Sequence, residues 1–238
     1  MVARGAHWTA GPPQSEGDHR ESARDRQALS APSQLQAELR HGKIPPGSVH
    51  LCVDMQRMFA EETAWKTPWM ERVRPVVAAI AREHAPATIF TRFIPAAHPG
   101  EGAGAWGRYW QRWPMMTLSQ LGEDKVALLP ELAAVCPPAL TFDKRTYSPW
   151  SDGRLHALLQ ARACGTLIVT GGETDVCVLA TVLGAIDLGY RAIVVMDALC
   201  SSADETHDAV MTVYQHRYGQ QVETVSAECL LDEWRDRL

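Results

Sequence analysis

Short apolar runs alternate with helical patterns through most of this chain. Six of these runs are short, continuous and rich in β-branched or aromatic residues, as buried strands are. They span residues 48–53, 87–93, 139–142, 166–170, 191–196 and 221–225. Apolar residues at helical spacing predict helices at 68–84, 154–163, 174–188, 204–218 and 227–235. Because such alternation is typical of a parallel sheet covered on both faces, we predict a three-layer, doubly wound α/β domain.

Two segments depart from this alternating pattern. Residues 1–32 are rich in Gly, Pro, Ser and mixed charge, so we interpret them as a disordered or loosely attached extension of a single domain at 33–238. The interval 94–138 is long for a connection within a compact domain. It contains an aromatic segment at helical spacing, formed by Trp106, Tyr109, Trp110 and Trp113. This segment is interpreted either as a lid over a pocket or as packing in the core or between subunits.

Composition and charge narrow the class of protein. The 238 residues carry a net charge of −5, and no basic stripe is present, so we expect no binding to nucleic acid. No apolar run reaches the roughly 18 residues of a membrane helix, so we expect no membrane association. The six cysteines show no metal-binding spacing, and the chain begins without an apolar signal-like segment. These features predict reduced thiols and a cytoplasmic location.

Candidate catalytic groups follow three of the predicted strands. Ligands of open parallel sheets bind beyond the carboxyl ends of the strands. Asp54 follows the first strand, Lys144 the third, and Cys177 lies in the first helical turn after the fourth. A helix N-terminus and a nearby ammonium group predict a lowered thiol pKa for Cys177, and Asp54 is a candidate general base. Backbone N–H groups at the helix start, after two glycines that permit a tight turn, are candidates for binding an oxyanion.

Three motifs, in this order and spacing, resemble those of the isochorismatase-like cysteine hydrolases. They are DMQ at 54–56, DKRTYSPW at 143–150 and TGGETDVCV at 170–178. That superfamily includes nicotinamidases, N-carbamoylsarcosine amidohydrolase, ureidoacrylate amidohydrolase and biuret hydrolase. The resemblance covers roughly residues 48–234. It implies a six-stranded parallel sheet of order 3-2-1-4-5-6 and a homo-oligomer, a dimer or a tetramer.

The resemblance also implies roles for particular residues. Asp54, Lys144 and Cys177 correspond to the catalytic triad of the family. The family's cis peptide bond, which is not followed by proline, falls on Gly172–Glu173, and the oxyanion hole falls on the backbone N–H groups of Glu173 and Cys177. Nicotinamidases carry a metal-binding D-x-H element after the second strand, where this chain reads TRFIPAAHPG and offers only His98. We therefore predict no metal site and no cofactor.

Several further residues are candidates for the walls of the substrate pocket. They are Gln56, Phe59, Trp65, Tyr147, Trp150 and Thr174. Gln56 is as compatible with a turn cap as with substrate binding, and the aromatic candidates are compatible with packing. Among the remaining polar residues, His207 is expected on a helix surface, and Asp197 is expected to cap an element or to support the site. Cys200 is interpreted as a packing residue.

These observations together predict a metal-independent amidohydrolase. The substrate is expected to be a small linear amide or a carbamoyl or ureido compound, cleaved through an acyl-enzyme on Cys177 with release of ammonia or an amine. One alternative is a hydrolase of the same fold that acts on an ester or a vinyl ether. Another is a protein that binds a small molecule without catalysis. A dinucleotide oxidoreductase is excluded, because the first strand does not lead into a Gly-rich phosphate loop.

Overall fold

The computed structural model describes residues 39–235. Its parallel sheet has the strand order β3-β2-β1-β4-β5-β6. The strands are β1 (Val49–Val53), β2 (Thr88–Phe93), β3 (Leu140–Lys144), β4 (Thr166–Gly172), β5 (Arg191–Cys200) and β6 (Val222–Val225). The predicted fold and strand order are therefore confirmed. The predicted extension at 1–32 lies outside the described residues.

Nine α-helices occur between residues 39 and 235, and they include all five predicted ones. They are α1 (Arg57–Ala60), α2 (Met70–Glu83), α3 (Ala105–Arg112), α4 (Leu118–Leu121), α5 (Pro130–Ala133), α6 (Arg154–Ala161), α7 (Leu179–Asp187), α8 (Asp204–Arg217) and α9 (Ala227–Glu233). The helix predicted at 174–188 is divided, because its first turn, Thr174–Val178, has π geometry and precedes α7. The helix α3 confirms the helical spacing of the aromatic segment.

Helices cover both faces of the sheet, which explains why the strands are apolar without interruption. Successive strand residues point to opposite faces. Ile168 of β4 packs in one apolar cluster with α2 and α9. Its neighbours Leu167 and Val169 pack in a second cluster with α6, α7 and α8. With both faces buried, the loops at the carboxyl ends of the strands are left to form a site.

The neighbouring strands β4 and β5 extend further than the sequence predicted. After a register shift, they pair again at Gly171↔Leu199 and Gly172↔Cys200. The side chain of Asp197 accepts a hydrogen bond from the N–H of Ala227 at 2.8 Å, so it caps the start of α9. Cys200 is fully buried in the apolar core, as expected. The extension of β4 carries the sheet directly to the turn that holds Cys177.

All six cysteines of the chain are free thiols. Cys136 is partly exposed, and the others are buried. Between residues 39 and 235, no helix combines the length and the apolar character needed to cross a membrane.

Candidate active site

The sheet brings Asp54 and Lys144 together from two strands that are not neighbours. Asp54 follows β1, and Lys144 ends β3, with β2 between them. The Nζ atom of Lys144 lies 2.7 Å from Oδ2 of Asp54, and the two side chains are 2% and 1% exposed. Nζ also donates to the carbonyl of Thr146 at 3.1 Å and lies 5.3 Å from the centre of the Phe93 ring. The pair is thus a buried, hydrogen-bonded ion pair.

A threonine of β2 holds the other oxygen of the Asp54 carboxylate. The hydroxyl of Thr91 donates to Oδ1 of Asp54 at 2.6 Å, and the carbonyl of Thr91 accepts the N–H of Asp54 at 3.2 Å. Asp54 itself has a φ of 51°, in the left-handed region that non-glycine residues rarely adopt. Thr91 was not among the residues predicted for the site. Its only signal in the sequence is a hydroxyl residue within a predicted strand. In the structure, this residue pairs with Val53.

Cys177 reaches the same place through the turn after β4. Gly171 has a φ of 103°, and a Cβ atom at this position would lie 2.1 Å from the carbonyl oxygen of Val53. Only glycine permits this approach of β4 to β1. The peptide bond between Gly172 and Glu173 is cis. The turn Thr174–Val178 then places the Cys177 thiol at the wall of a cavity.

Burial dominates the acidity of the Cys177 thiol. Burial raises the thiol pKa well above its usual range, the Lys144 ammonium opposes this shift, and the carboxylates of Asp54 and Glu173 add to it. The expectation of a lowered pKa is therefore wrong, because the thiol is buried and two carboxylates act on it. Burial lowers the pKa of Lys144, but Asp54 and Cys177 more than offset this, so its pKa is raised overall. The site therefore combines a neutral thiol, a carboxylate and an ammonium group.

The cavity beside Cys177 has a volume of about 330 Å³, which suits a small molecule. Half of its lining residues are aromatic. The wall consists of Phe59, Ala64, Trp65, Lys66, Phe93, Tyr109, Trp113, Tyr147, Glu173, Val176, Cys177 and Ser202. The predicted pocket residues Phe59, Trp65 and Tyr147 are thus part of it. Lys66 and Ser202 were not predicted to line the pocket, because they lie in loops with no recognisable motif.

Three predicted pocket residues lie elsewhere, because their polar groups are used within the protein. The amide of Gln56 donates to the carbonyls of Phe93 and Val126 at 3.0 and 2.8 Å, so it ties the loop after β1 to its neighbours. Trp150 donates its ring N–H to the carbonyl of Thr181 at 2.9 Å. It also stacks on Tyr190, with ring centres 5.7 Å apart, and so packs against α7.

Thr174, the third of these residues, is fully buried. Its hydroxyl donates to the carbonyl of Cys200 at 3.1 Å and lies 2.9 Å from Nδ1 of His207. The prediction of His207 on a helix surface is also wrong, since this residue is buried. Its ring packs against Trp69, with centres 5.0 Å apart. Thr174 and His207 therefore support the turn that carries Cys177.

The aromatic segment contributes to both the core and the cavity. Trp110 is buried and stacks on Phe93, with ring centres 6.0 Å apart. Tyr109 and Trp113 line the cavity. Trp65 joins the two groups, because it contacts Tyr109, Trp110 and Trp113 with ring centres 5.9–6.1 Å apart. The segment is therefore part of both the core and the cavity wall, and its role between subunits stays a prediction.

The described residues do not fit the metal element of nicotinamidases. Between residues 39 and 235, no group of three or more His, Cys, Asp or Glu side chains is arranged to hold a metal ion. His98, the single histidine of the corresponding segment, is exposed. The carboxylate of Glu101 accepts its backbone N–H at 3.2 Å.

The chain belongs to the isochorismatase family. The model of the Isochorismatase domain matches residues 48–226, which contain all three candidate catalytic residues. The chain is 31% identical over 86 residues to an uncharacterised isochorismatase family protein, PncA, of Bacillus subtilis (strain 168). That match covers 36% of this chain and 47% of the relative, so the chain spans about half the length of the curated relative it matches.

Solved structures share the fold over most of the chain. A cysteine hydrolase from Pseudomonas syringae pv. phaseolicola 1448A superposes with a TM-score of 0.67 and 22% identity, covering 86% of this chain and 98% of that one. An N-carbamoylsarcosine amidase from Thermoplasma acidophilum superposes with a TM-score of 0.62 and 18% identity, covering 76% and 96%. At these identities the likeness establishes the fold of an isochorismatase-like hydrolase.

Proposed function

We propose that this protein is a cysteine amidohydrolase that cleaves the C–N bond of a small linear amide, or of a carbamoyl or ureido compound. One observation carries the proposal. The buried pair of Asp54 and Lys144, with Oδ2 and Nζ 2.7 Å apart, shifts the pKa of the Cys177 thiol at the wall of a small cavity. A carboxylate, an ammonium group and a thiol in contact are the parts of an acyl-transfer site. Amidase chemistry among structural neighbours agrees with this choice.

The first half of the proposed reaction forms an acyl-enzyme. Asp54 takes the proton of the Cys177 thiol while sulfur attacks the substrate carbonyl carbon, so that a C–S bond forms and the C=O electrons move to oxygen. The backbone N–H groups of Glu173 and Cys177 hold this oxyanion. The C–N bond then breaks, and Asp54 returns the proton to the departing nitrogen. Because burial favours the neutral thiol, proton transfer accompanies the attack instead of preceding it.

The second half releases the acyl group. Asp54 takes a proton from water as the water oxygen attacks the thioester carbon. The C–S bond breaks, the acid leaves, and the proton returns to sulfur. Lys144 keeps its charge throughout and holds the Asp54 carboxylate in a fixed orientation. Asp54 accepts and returns each proton, and Cys177 forms and breaks the bond to the acyl group. The proposed reaction therefore includes no metal step.

The decisive experiment measures ammonia release from a panel of small amides, ureas, carbamates and N-carbamoyl amino acids, with and without EDTA. We expect turnover that EDTA does not change and that Cys177→Ala reduces by on the order of 10⁴-fold or more. Cys136→Ala is the matched control, because this partly exposed thiol lies outside the cavity. Mass spectrometry of the quenched wild-type reaction is expected to find the acyl group on Cys177.

Other outcomes would redirect the assignment. Turnover of esters or vinyl ethers alone would favour the other chemistry of this fold. Turnover that Cys177→Ala leaves intact would overturn the nucleophile. Binding of panel members without any turnover would favour a binding protein.

Location and assembly are part of the proposal. We propose a cytoplasmic protein, because six free thiols are stable in a reducing compartment. We also propose a dimer or a tetramer, in line with the family resemblance. Light scattering on the eluate of a sizing column would measure the assembly directly, and a monomer of 26.3 kDa would contradict the latter proposal.

A further inference from the structure

We propose that the cavity selects amides whose non-reacting end carries a positive charge, such as a quaternary ammonium group. The inference rests on the proposed function, because it assigns a substrate class to the same site. It depends on two features of the wall, which are a continuous aromatic surface and a carboxylate without a cationic partner.

The aromatic surface is centred on Trp65. Its ring stacks on Phe59, with centres 6.1 Å apart and planes inclined by 12°. Tyr109 and Trp113 contact the same ring, with centres 5.9 and 6.1 Å from it, and all four residues line the cavity. The faces of aromatic rings carry negative charge density and attract ammonium groups, most strongly when these are shielded from water. Several such rings on one small cavity are suited to an alkylated ammonium group.

The carboxylate of Glu173 supplies a negative charge to this cavity. Its Oε1 accepts the N–H of Ser202 at 3.0 Å, which orients the side chain, and both residues line the cavity. Among residues 39–235, Glu173 makes no ion pair, and its Oε2 accepts no hydrogen bond. The charge of Glu173 is therefore not neutralised within the described protein. A cationic substrate would supply the missing partner.

The other charges of the site do not cancel this one. Asp54 and Lys144 neutralise each other. Lys66 is the single cationic side chain on the described cavity wall, and it forms an ion pair with Glu62, four residues earlier in the same loop. Both members of that pair are substantially exposed, so solvent screens them more than it screens Glu173. The cavity therefore keeps a net negative charge.

The effect of Glu173 on its neighbours points in the same direction. Burial raises the pKa of Tyr109 and of Tyr147, and the Glu173 carboxylate raises both further. The Glu173 carboxylate also raises the pKa of the Cys177 thiol. The field of this carboxylate thus extends across the cavity from the nucleophile to the aromatic wall.

A pair of substrates with the same shape tests the inference. Trimethylammonioacetamide carries a positive charge, and 3,3-dimethylbutanamide is its neutral isostere. We expect kcat/KM to favour the cation by about tenfold or more. Glu173→Gln keeps the shape and an acceptor for Ser202, so dividing the wild-type ratio by the variant ratio removes the intrinsic reactivity of the two amides. We expect Glu173→Gln to reduce the preference about tenfold.

Two further variants isolate the charge effect. Lys66→Met removes the opposing cation, so we expect it to raise the preference for the cation. Glu83→Gln is the matched control, because Glu83 is exposed in the last turn of α2 and lies outside the cavity; it is expected to leave the ratio unchanged. Succinamate, an anionic amide, is included in the panel to test whether Lys66 selects an anion instead.

A binding measurement separates this inference from the proposed function. Quenching of tryptophan fluorescence in Cys177→Ala measures the affinity for both isosteres without turnover. Tighter binding of the cation without any hydrolysis by the wild-type protein would support the inference and overturn the proposed function. Hydrolysis with equal or better use of the neutral amide or succinamate would support the function and overturn the inference. If Glu173→Gln folds poorly, two tests remain. They are the kcat/KM ratio of the two isosteres in Lys66→Met and the affinities of Cys177→Ala for both isosteres.

Discussion

The side chain of Lys144 crosses the end of β2, so that its ammonium group meets the carboxylate of Asp54. The Nζ and Oδ2 atoms lie 2.7 Å apart in the protein interior. Each charge has lost its water and depends on the other for stabilisation. The pair therefore has two roles, since it fixes the orientation of the Asp54 carboxylate and joins the ends of β1 and β3.

Breaking this pair on one side should destabilise the fold. Lys144→Met leaves the Asp54 carboxylate buried without its cation, and we expect the free energy of unfolding to fall by about 3–5 kcal/mol. Urea titration at neutral pH measures the change. The double variant Asp54→Asn, Lys144→Met should recover most of the loss, because no charge is then left unpaired. Glu71→Gln breaks an exposed pair with Arg74, and it should cost less than about 1 kcal/mol.

Thr91 should act on turnover through Asp54. Thr91→Val keeps the shape but removes the 2.6 Å hydrogen bond to the carboxylate, whose loss is worth about 1.5–3 kcal/mol. We expect kcat to fall by roughly 10- to 100-fold with little change in KM, and Thr91→Ser should restore most of it. Thr141→Val, at an exposed position of β3, is the control. An unchanged kcat in Thr91→Val would show that Lys144 alone positions the base.

The reactivity of the Cys177 thiol should reflect its burial. Burial raises its pKa and Lys144 lowers it, so we expect slow alkylation by iodoacetamide at pH 7 and faster alkylation as the pH rises. Lys144→Met should slow alkylation further, because the thiolate loses its cation. Peptide mass spectrometry follows Cys177 beside Cys136, which lies outside the cavity and serves as the reference within each sample. Rapid alkylation of Cys177 at pH 6 would contradict the burial argument.

Gly171 should tolerate no side chain. Its φ of 103° predicts strain in Gly171→Ala, and the added methyl carbon would overlap the Val53 carbonyl oxygen at a distance of 2.1 Å. We expect a loss of about 3 kcal/mol or more in the free energy of unfolding. Gly165→Ala is the matched control, because no atom lies within 4 Å of its added carbon, and it should change stability by less than about 0.5 kcal/mol. Equal stability of the two variants would refute the close approach.

Stability should fall in mild acid because of His50. Burial lowers its pKa from 6.5 to about 3, and His84 acts in the same direction. The folded state therefore keeps His50 neutral, so its contribution is complete above pH 6.5 and is lost as the pH falls towards 3. Each pH unit in this window should cost up to about 1.4 kcal/mol. Urea titrations at pH 7.5 and 5.5 measure this slope, which should be smaller in His50→Gln and unchanged in His98→Gln.

The sequence alone identified the sheet and the residues that end its strands. Apolar runs of the right length are sufficient to locate the strands, because strands buried on both faces are apolar without interruption. The polar residues at the strand ends, together with the resemblance of three short motifs, indicated Asp54, Lys144 and Cys177 as candidates. Each of these predictions depends on a local pattern, namely a strand followed directly by a polar residue or by a glycine turn.

The tertiary structure decided what surrounds those residues. Gln56 and Thr174 lie within the motifs that contain Asp54 and Cys177, yet both are buried and donate hydrogen bonds to backbone carbonyls. Thr91 carries no motif, and only the pairing of β2 with β1 places it on Asp54. The pKa of Cys177 depends on the summed effects of burial and of charges from three different strand ends. Such properties arise from groups far apart in the chain, so no local pattern of residues contains them.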